Sequence, residues 1–106
     1  MEAARILVVD DEESLRFFVS EQLTLAGYNV FTAGGGKEAL ERLREAPMDL
    51  VLLDLMMADV QGLRVLEEIA KLPDPPVVII LTAYASLDSA ISAMRLGSHD
   101  YLVKPC

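Results

Sequence analysis

Five short apolar runs punctuate the chain: RILVVD at 5–10, YNVFTA at 28–33, DLVLLD at 49–54, VVIILT at 77–82 and DYLVKP at 100–105. They are nearly continuous rather than alternating and rich in Val, Ile and Leu. That pattern predicts short strands buried on both faces. The segments between them change period. After Glu12-Glu13-Ser14, whose acids suit the first turn of a helix, Leu15, Phe18, Val19, Leu23 and Ala26 recur at helical spacing, and Gly27 ends the run. Ala39, Leu40 and Leu43 share one face of a helix within 34–46, closed by Pro47. Leu63, Leu66, Ile69 and Ala70 do the same within 63–72, before Pro73-Asp74-Pro75-Pro76. Leu87, Ala90, Ile91 and Met94 mark a helix over 86–96, ended by Gly97.

The order is therefore βαβαβαβαβ, which implies an α/β fold with a doubly wound five-stranded parallel sheet and right-handed crossovers. No internal linker or repeat interrupts it. The last residue, Cys106, directly follows the fifth strand. A sheet of this kind ordinarily has a further helix on its second face, so residues 1–106 are expected to be a single domain shortened before that helix. The first helix alone would leave apolar surface exposed beyond the few hundred Å² usual for a monomer.

Composition narrows the function. The 106 residues are 53% hydrophobic and 25% charged, which excludes a disordered chain. Net charge is −8, and the nine Lys and Arg are scattered, so no direct nucleic-acid contact is expected. No apolar run approaches the roughly 18 residues of a membrane span, and the N-terminus lacks the basic-then-apolar order of a secretory signal. A single Cys fits a reducing, cytoplasmic compartment.

Chemistry converges at one place. In a parallel α/β sheet, ligands sit outside the carboxyl ends of the strands. The first strand ends in Asp10-Asp11, the third in Asp54, the fourth in Thr82 and the fifth in Lys104. Three carboxylates at one rim repel one another unless neutralised, and one Lys does not suffice. A hard divalent cation, Mg²⁺, suits carboxylate and carbonyl oxygens and leaves positions open for a phosphate. Asp54 would then be a plausible nucleophile toward a phosphoryl group, with Lys104 and the metal offsetting charge and Thr82 donating a hydrogen bond.

Singly, each residue has a plainer reading. Asp10-Asp11 could cap the first helix, Asp54 could be a loop acid, Thr82 a cap and Lys104 a surface lysine. Tyr101 is open between core aromatic and functional residue. Gly34-Gly35-Gly36-Lys37 lacks the spacing and the following Ser/Thr of a phosphate loop and reads as a flexible connection. His99 has no second His with which to form a transition-metal site.

The segments "VVDDEE", "DLVLLDLMMADVQG", "LTAYAS" and "DYLVKP", in this order, resemble the receiver domain of bacterial two-component response regulators over the whole chain. The resemblance implies a flavodoxin-like sheet of order 2-1-3-4-5. It implies that Asp54 is the phosphoacceptor, that Asp10, Asp11, Asp54 and the carbonyl of Met56 hold Mg²⁺, and that Thr82 and Lys104 bind the phosphoryl group. Thr82 and Tyr101 would form the conformational switch, and the Lys104-Pro105 bond would be cis. Implied partners are a sensor histidine kinase, an output domain beyond the C-terminus and a second copy in a homodimer. "LTAYASLDSAISAMRLGSHDYLVKP" looks most like receivers joined to central ATPase domains of transcription activators. Ala58 and Gln61 depart from the family's usual proline and aspartate after Asp54.

Two other functions compete. A metal-dependent phosphatase with an aspartyl intermediate shares the chemistry, but usually has a spaced Asp-x-Asp after the first strand and a cap, and neither is present. An interaction module that is never phosphorylated usually lacks an acid or the lysine, and all are here.

Overall fold

The computed structural model describes residues 3–55, 57, 62–82, 95 and 100–103, with the backbone alone at 82 and 100–103. In chain order the elements are β1 (Arg5–Val9), α1 (Glu13–Leu25), β2 (Asn29–Ala33), α2 (Gly36–Glu45), β3 (Leu50–Leu53), α3 (Gly62–Ala70), β4 (Val77–Thr82) and β5 (Asp100–Val103). The helix expected over 86–96 lies outside the described residues, except for Arg95. The strands form one parallel sheet in the order β2-β1-β3-β4-β5, the doubly wound arrangement expected of the sequence.

The two faces of the sheet are covered unequally. Leu7, Val9, Val51, Leu53, Val78 and Ile80 point to one face and are at most 1% exposed. They join Ala39 and Leu43 of α2 and Val65, Leu66 and Ile69 of α3 in a single core. Burying a side chain of this size stabilises by about 1.5–3 kcal/mol. On the opposite face Ile6 and Val8 are buried, but Leu50, Leu52, Ile79 and Leu81 are only half-buried and Val77 is exposed. Continuous apolar strands predict burial on both faces, and here one face falls short of it.

The reason lies in α1. None of its residues is buried, and Phe18, expected to face inward, is 58% exposed beside Phe17 at 68%. Among the described residues α1 is the helix on this face, and one helix about 10 Å wide cannot cover strands spaced about 4.8 Å apart across a five-stranded sheet. The helix therefore rests on β1 and β2 through Leu15, Val19 and Leu23, all half-buried. It ends where Gly27 takes a φ of 101°, with the Tyr28 amide donating to the Leu23 carbonyl at 3.2 Å, the left-handed cap that glycine adopts without strain.

Two other readings shift in detail. The inward face of α3 is Gly62, Val65, Leu66 and Ile69, so Val65 replaces Ala70, which is exposed. The glycine run is not a loose connection: Gly35 and Gly36 are buried, and α2 begins at Gly36. The side chain of Glu38 reaches back to accept from the Gly34 amide at 3.0 Å, satisfying an amide ahead of the helix as a capping box does.

Candidate functional site

Strand register builds the site. Val9 of β1 pairs with Leu53 of β3, and Leu53 with Ile80 of β4. The residues that follow Val9 and Leu53 are Asp10 and Asp54, so both acids leave the sheet side by side. The Asp54 amide donates to the Val9 carbonyl at 3.0 Å and the Asp10 amide to the Ala33 carbonyl at 3.1 Å. These bonds extend the ladders one residue past each strand and fix where the acid side chains start.

Asp10 is 4% and Asp54 5% exposed, while Asp11 is exposed. One carboxylate oxygen from each of the three lies within 4.8 Å of the others. At an effective dielectric constant near 20, the two buried carboxylates repel by on the order of 3 kcal/mol. The Asp10 side chain is oriented by the Glu12 amide, which donates to Oδ1 at 2.9 Å. This is a turn bond ahead of α1; the N-cap position belongs to Glu12, which makes no side-chain cap bond. Asp10 therefore does more than start a helix. An all-oxygen donor set with two buried carboxylates and one open to solvent suits a hard divalent ion that retains water, as Mg²⁺ does.

The neighbouring strands bring the rest of the rim. Thr82 closes β4 and pairs with Val103, the residue before Lys104. The backbone of Tyr101 pairs with Ile80. Lys104, the carbonyl of Met56, the Lys104-Pro105 bond, Ala58, Gln61 and His99 lie outside the described residues.

One residue at the site carried no role in the sequence reading. Gly62, the first residue of α3, donates its amide to the Leu55 carbonyl at 2.9 Å. A Cβ placed on it would lie closer than 3.0 Å to the carbonyl oxygen of Asp54 and to Cα of Leu55, which real Cβ atoms essentially never do. Glycine thus lets the start of α3 press against the peptide of the acid itself. Leu55 and Met57 are buried in the core on either side of Met56, so the exit from Asp54 is held by packing as well. The available signal was a glycine eight residues after the acid, where an amphipathic helix begins.

The family model for the response regulator receiver domain matches residues 6–106. The chain belongs to the response regulator receiver domain family. Transcriptional regulatory protein ZraR of Escherichia coli K12 is 45% identical over 100 residues, which cover 94% of this chain and 23% of ZraR; the chain thus spans about a quarter of that relative's length. A response regulator from Burkholderia pseudomallei, solved with a phosphorylated aspartic acid, a calcium ion and citrate, superposes with a TM-score of 0.93 at 29% identity, covering 97% of this chain and 61% of that one. TrrA of Thermotoga maritima, solved with Mg²⁺ and BeF, is 40% identical with a TM-score of 0.85, covering 98% of this chain and 87% of that one.

Receiver domains of response regulators are signalling modules of two-component systems, and Asp10, Asp11 and Asp54 of this one are placed where a metal could bind. Among the described residues, no helix is long and apolar enough to cross a membrane.

Proposed function

We propose that this receiver domain is a phosphoacceptor switch in which Asp54 takes a phosphoryl group from a sensor histidine kinase. The observation that carries the reading is the meeting of Asp10, Asp11 and Asp54 within 4.8 Å at the end of β1 and β3. The relatives solved with a phosphorylated aspartic acid and with Mg²⁺ and BeF support it.

An Asp54 carboxylate oxygen attacks the phosphorus of the kinase phosphohistidine. The P–O bond forms as the P–N bond breaks, and its electron pair returns to the imidazole. In the hydrolytic branch water attacks the phosphorus, the P–O bond to Asp54 breaks with its electron pair staying on the carboxylate, and inorganic phosphate leaves as the water's proton passes to solvent. Asp10, Asp11, Asp54 and the Met56 carbonyl would hold Mg²⁺, which when bound offsets charge on the phosphoryl oxygens and aligns them. Lys104 would supply a cation for the phosphoryl oxygens, and Thr82 would donate to one of them. The position of Asp54, at the end of a strand pinned on both sides, reduces the motion needed to reach the transition state.

The readout is a shift between two pre-existing states, biased by Thr82 moving toward the phosphoryl group and Tyr101 turning inward. In this proposal residues 1–106 are the receiver unit of a longer cytoplasmic transcription regulator. An ATPase output domain follows it, and a second copy pairs with it.

The test is incubation with acetyl phosphate and Mg²⁺, followed by intact-mass measurement. One phosphoryl group on the wild type and none on Asp54→Asn is the expected result. A wild type that stays unmodified at saturating Mg²⁺ would refute the reading, and so would phosphate on Asp54→Asn at the wild-type rate.

A further inference from the structure

We infer that Arg16 is a positioning residue for the metal-binding acids, holding the peptide that joins Asp10 to Asp11. The inference rests on the phosphoacceptor reading above and adds a residue to it.

Arg16 lies on the first turns of α1 and is half-buried. Its guanidinium Nη1 turns back six residues to donate to the Asp10 carbonyl at 2.8 Å. That carbonyl belongs to the peptide linking the two acids, and its plane decides how the exposed Asp11 carboxylate is presented relative to the buried one of Asp10. Two further bonds of Asp10 act elsewhere on the residue. Its amide is tied to Ala33 and its Oδ1 to the Glu12 amide. The bond from Arg16 holds the carbonyl itself.

The guanidinium is itself held. A Cβ on Gly34 would lie 3.2 Å from Arg16 Nη1 and 3.7 Å from Cζ, so the group lies close against the loop leaving β2. Gly34 is anchored in turn by Glu38. A planar cation wedged between two loops is a stiff support, and Arg provides it where a compact ammonium on a flexible stem does less.

Position and charge pull in opposite directions here, which makes the role measurable. A fixed positive charge near the acids weakens their attraction for a second cation. If charge were all that Arg16 contributed, removing it would tighten Mg²⁺ binding. If it orients the acids, removing it loosens binding, by about 10-fold or more as for other groups that support metal ligands.

The test is Mg²⁺ titration by calorimetry on wild type, Arg16→Met and Arg16→Lys, with the Asp54 phosphorylation rate measured at saturating Mg²⁺. Arg16→Met is expected to raise the Mg²⁺ dissociation constant about 10-fold while the rate at saturating Mg²⁺ stays near wild type. Arg16→Lys, still able to donate to a carbonyl, should recover most of the affinity. Gly34→Ala keeps the arginine but crowds it, and should move the affinity in the same direction by less. That variant serves if Arg16→Met does not fold. Affinity unchanged or tightened in Arg16→Met, or in Gly34→Ala if only that variant folds, overturns the inference and leaves the phosphoacceptor reading standing. A wild type that binds no Mg²⁺ overturns both.

Discussion

Substituting Gly62 by Ala tests how closely the fold ties α3 to the reactive acid. The added methyl must sit closer than 3.0 Å to Asp54 O and Leu55 Cα, and 3.0 Å from the Asp54 carbonyl carbon. Comfortable contacts between such atoms are about 3.5–4.0 Å, so on the order of 1 Å of separation has to be created. Every obstructing atom is backbone, so no rotamer change relieves the overlap. Either α3 lifts off, which strains the buried contacts of Val65, Leu66 and Ile69, or the Asp54–Leu55 peptide swings away and weakens the Gly62–Leu55 hydrogen bond.

Overpacking of this kind costs about 1–3 kcal/mol. In a domain of this size that lowers the melting temperature by roughly 4–8 °C per kcal/mol. The effect on chemistry should exceed the effect on stability, because a displacement of about 1 Å at a reacting group can cost about 100-fold in rate. The assay is a thermal melt by circular dichroism beside the acetyl phosphate reaction at a temperature where both proteins are folded. The expected Gly62→Ala protein is folded, melts lower, and is phosphorylated on the order of 100-fold more slowly than wild type. An unchanged melt and an unchanged rate together would refute the reasoning. Gly62→Ser should behave alike, since any Cβ meets the same atoms.

Binding of Mg²⁺ should stabilise the native state by about 2.7 kcal/mol at 100 times its dissociation constant, seen as a melt that falls on adding a chelator. Asp11→Asn should gain less stability from Mg²⁺ than wild type does, read as a smaller rise in the melt on adding the ion. Leu66→Ala removes a side chain 1% exposed and should destabilise by about 2–5 kcal/mol, read from urea unfolding. Phe17→Ser combined with Phe18→Ser removes two exposed rings and should change stability by less than about 1 kcal/mol. It should lower any self-association measured by light scattering.

The sequence was most informative where a residue's neighbours are set by strand order. The run VVIILT predicts β4 over 77–82, and the strand is Val77–Thr82. Ala39 and Leu43 of α2 are buried as their spacing predicts. The acid cluster is legible for the same reason: parallel strands end at one rim, so Asp10 and Asp54 meet whatever the loops do. Helix faces were less legible, because periodicity gives a stripe but not the width of the surface it meets. Phe18 sits on the apolar stripe of α1, yet that stripe is broader than its footing on β1 and β2.

Least legible were contacts in which one backbone approaches another. Gly62 lies against the Asp54–Leu55 peptide because it lacks a side chain, and Arg16 reaches back to the Asp10 carbonyl. Neither leaves a periodic trace in the string. The three acids are costly neighbours that would separate if their loops were free to relax. The tethers on those loops oppose that: Val9 to Asp54, Ala33 and Arg16 to Asp10, and Gly62 to Leu55. The supports thus keep three acids gathered at one rim. A cation binding there meets acids already gathered, and its charge offsets a repulsion that the fold has imposed.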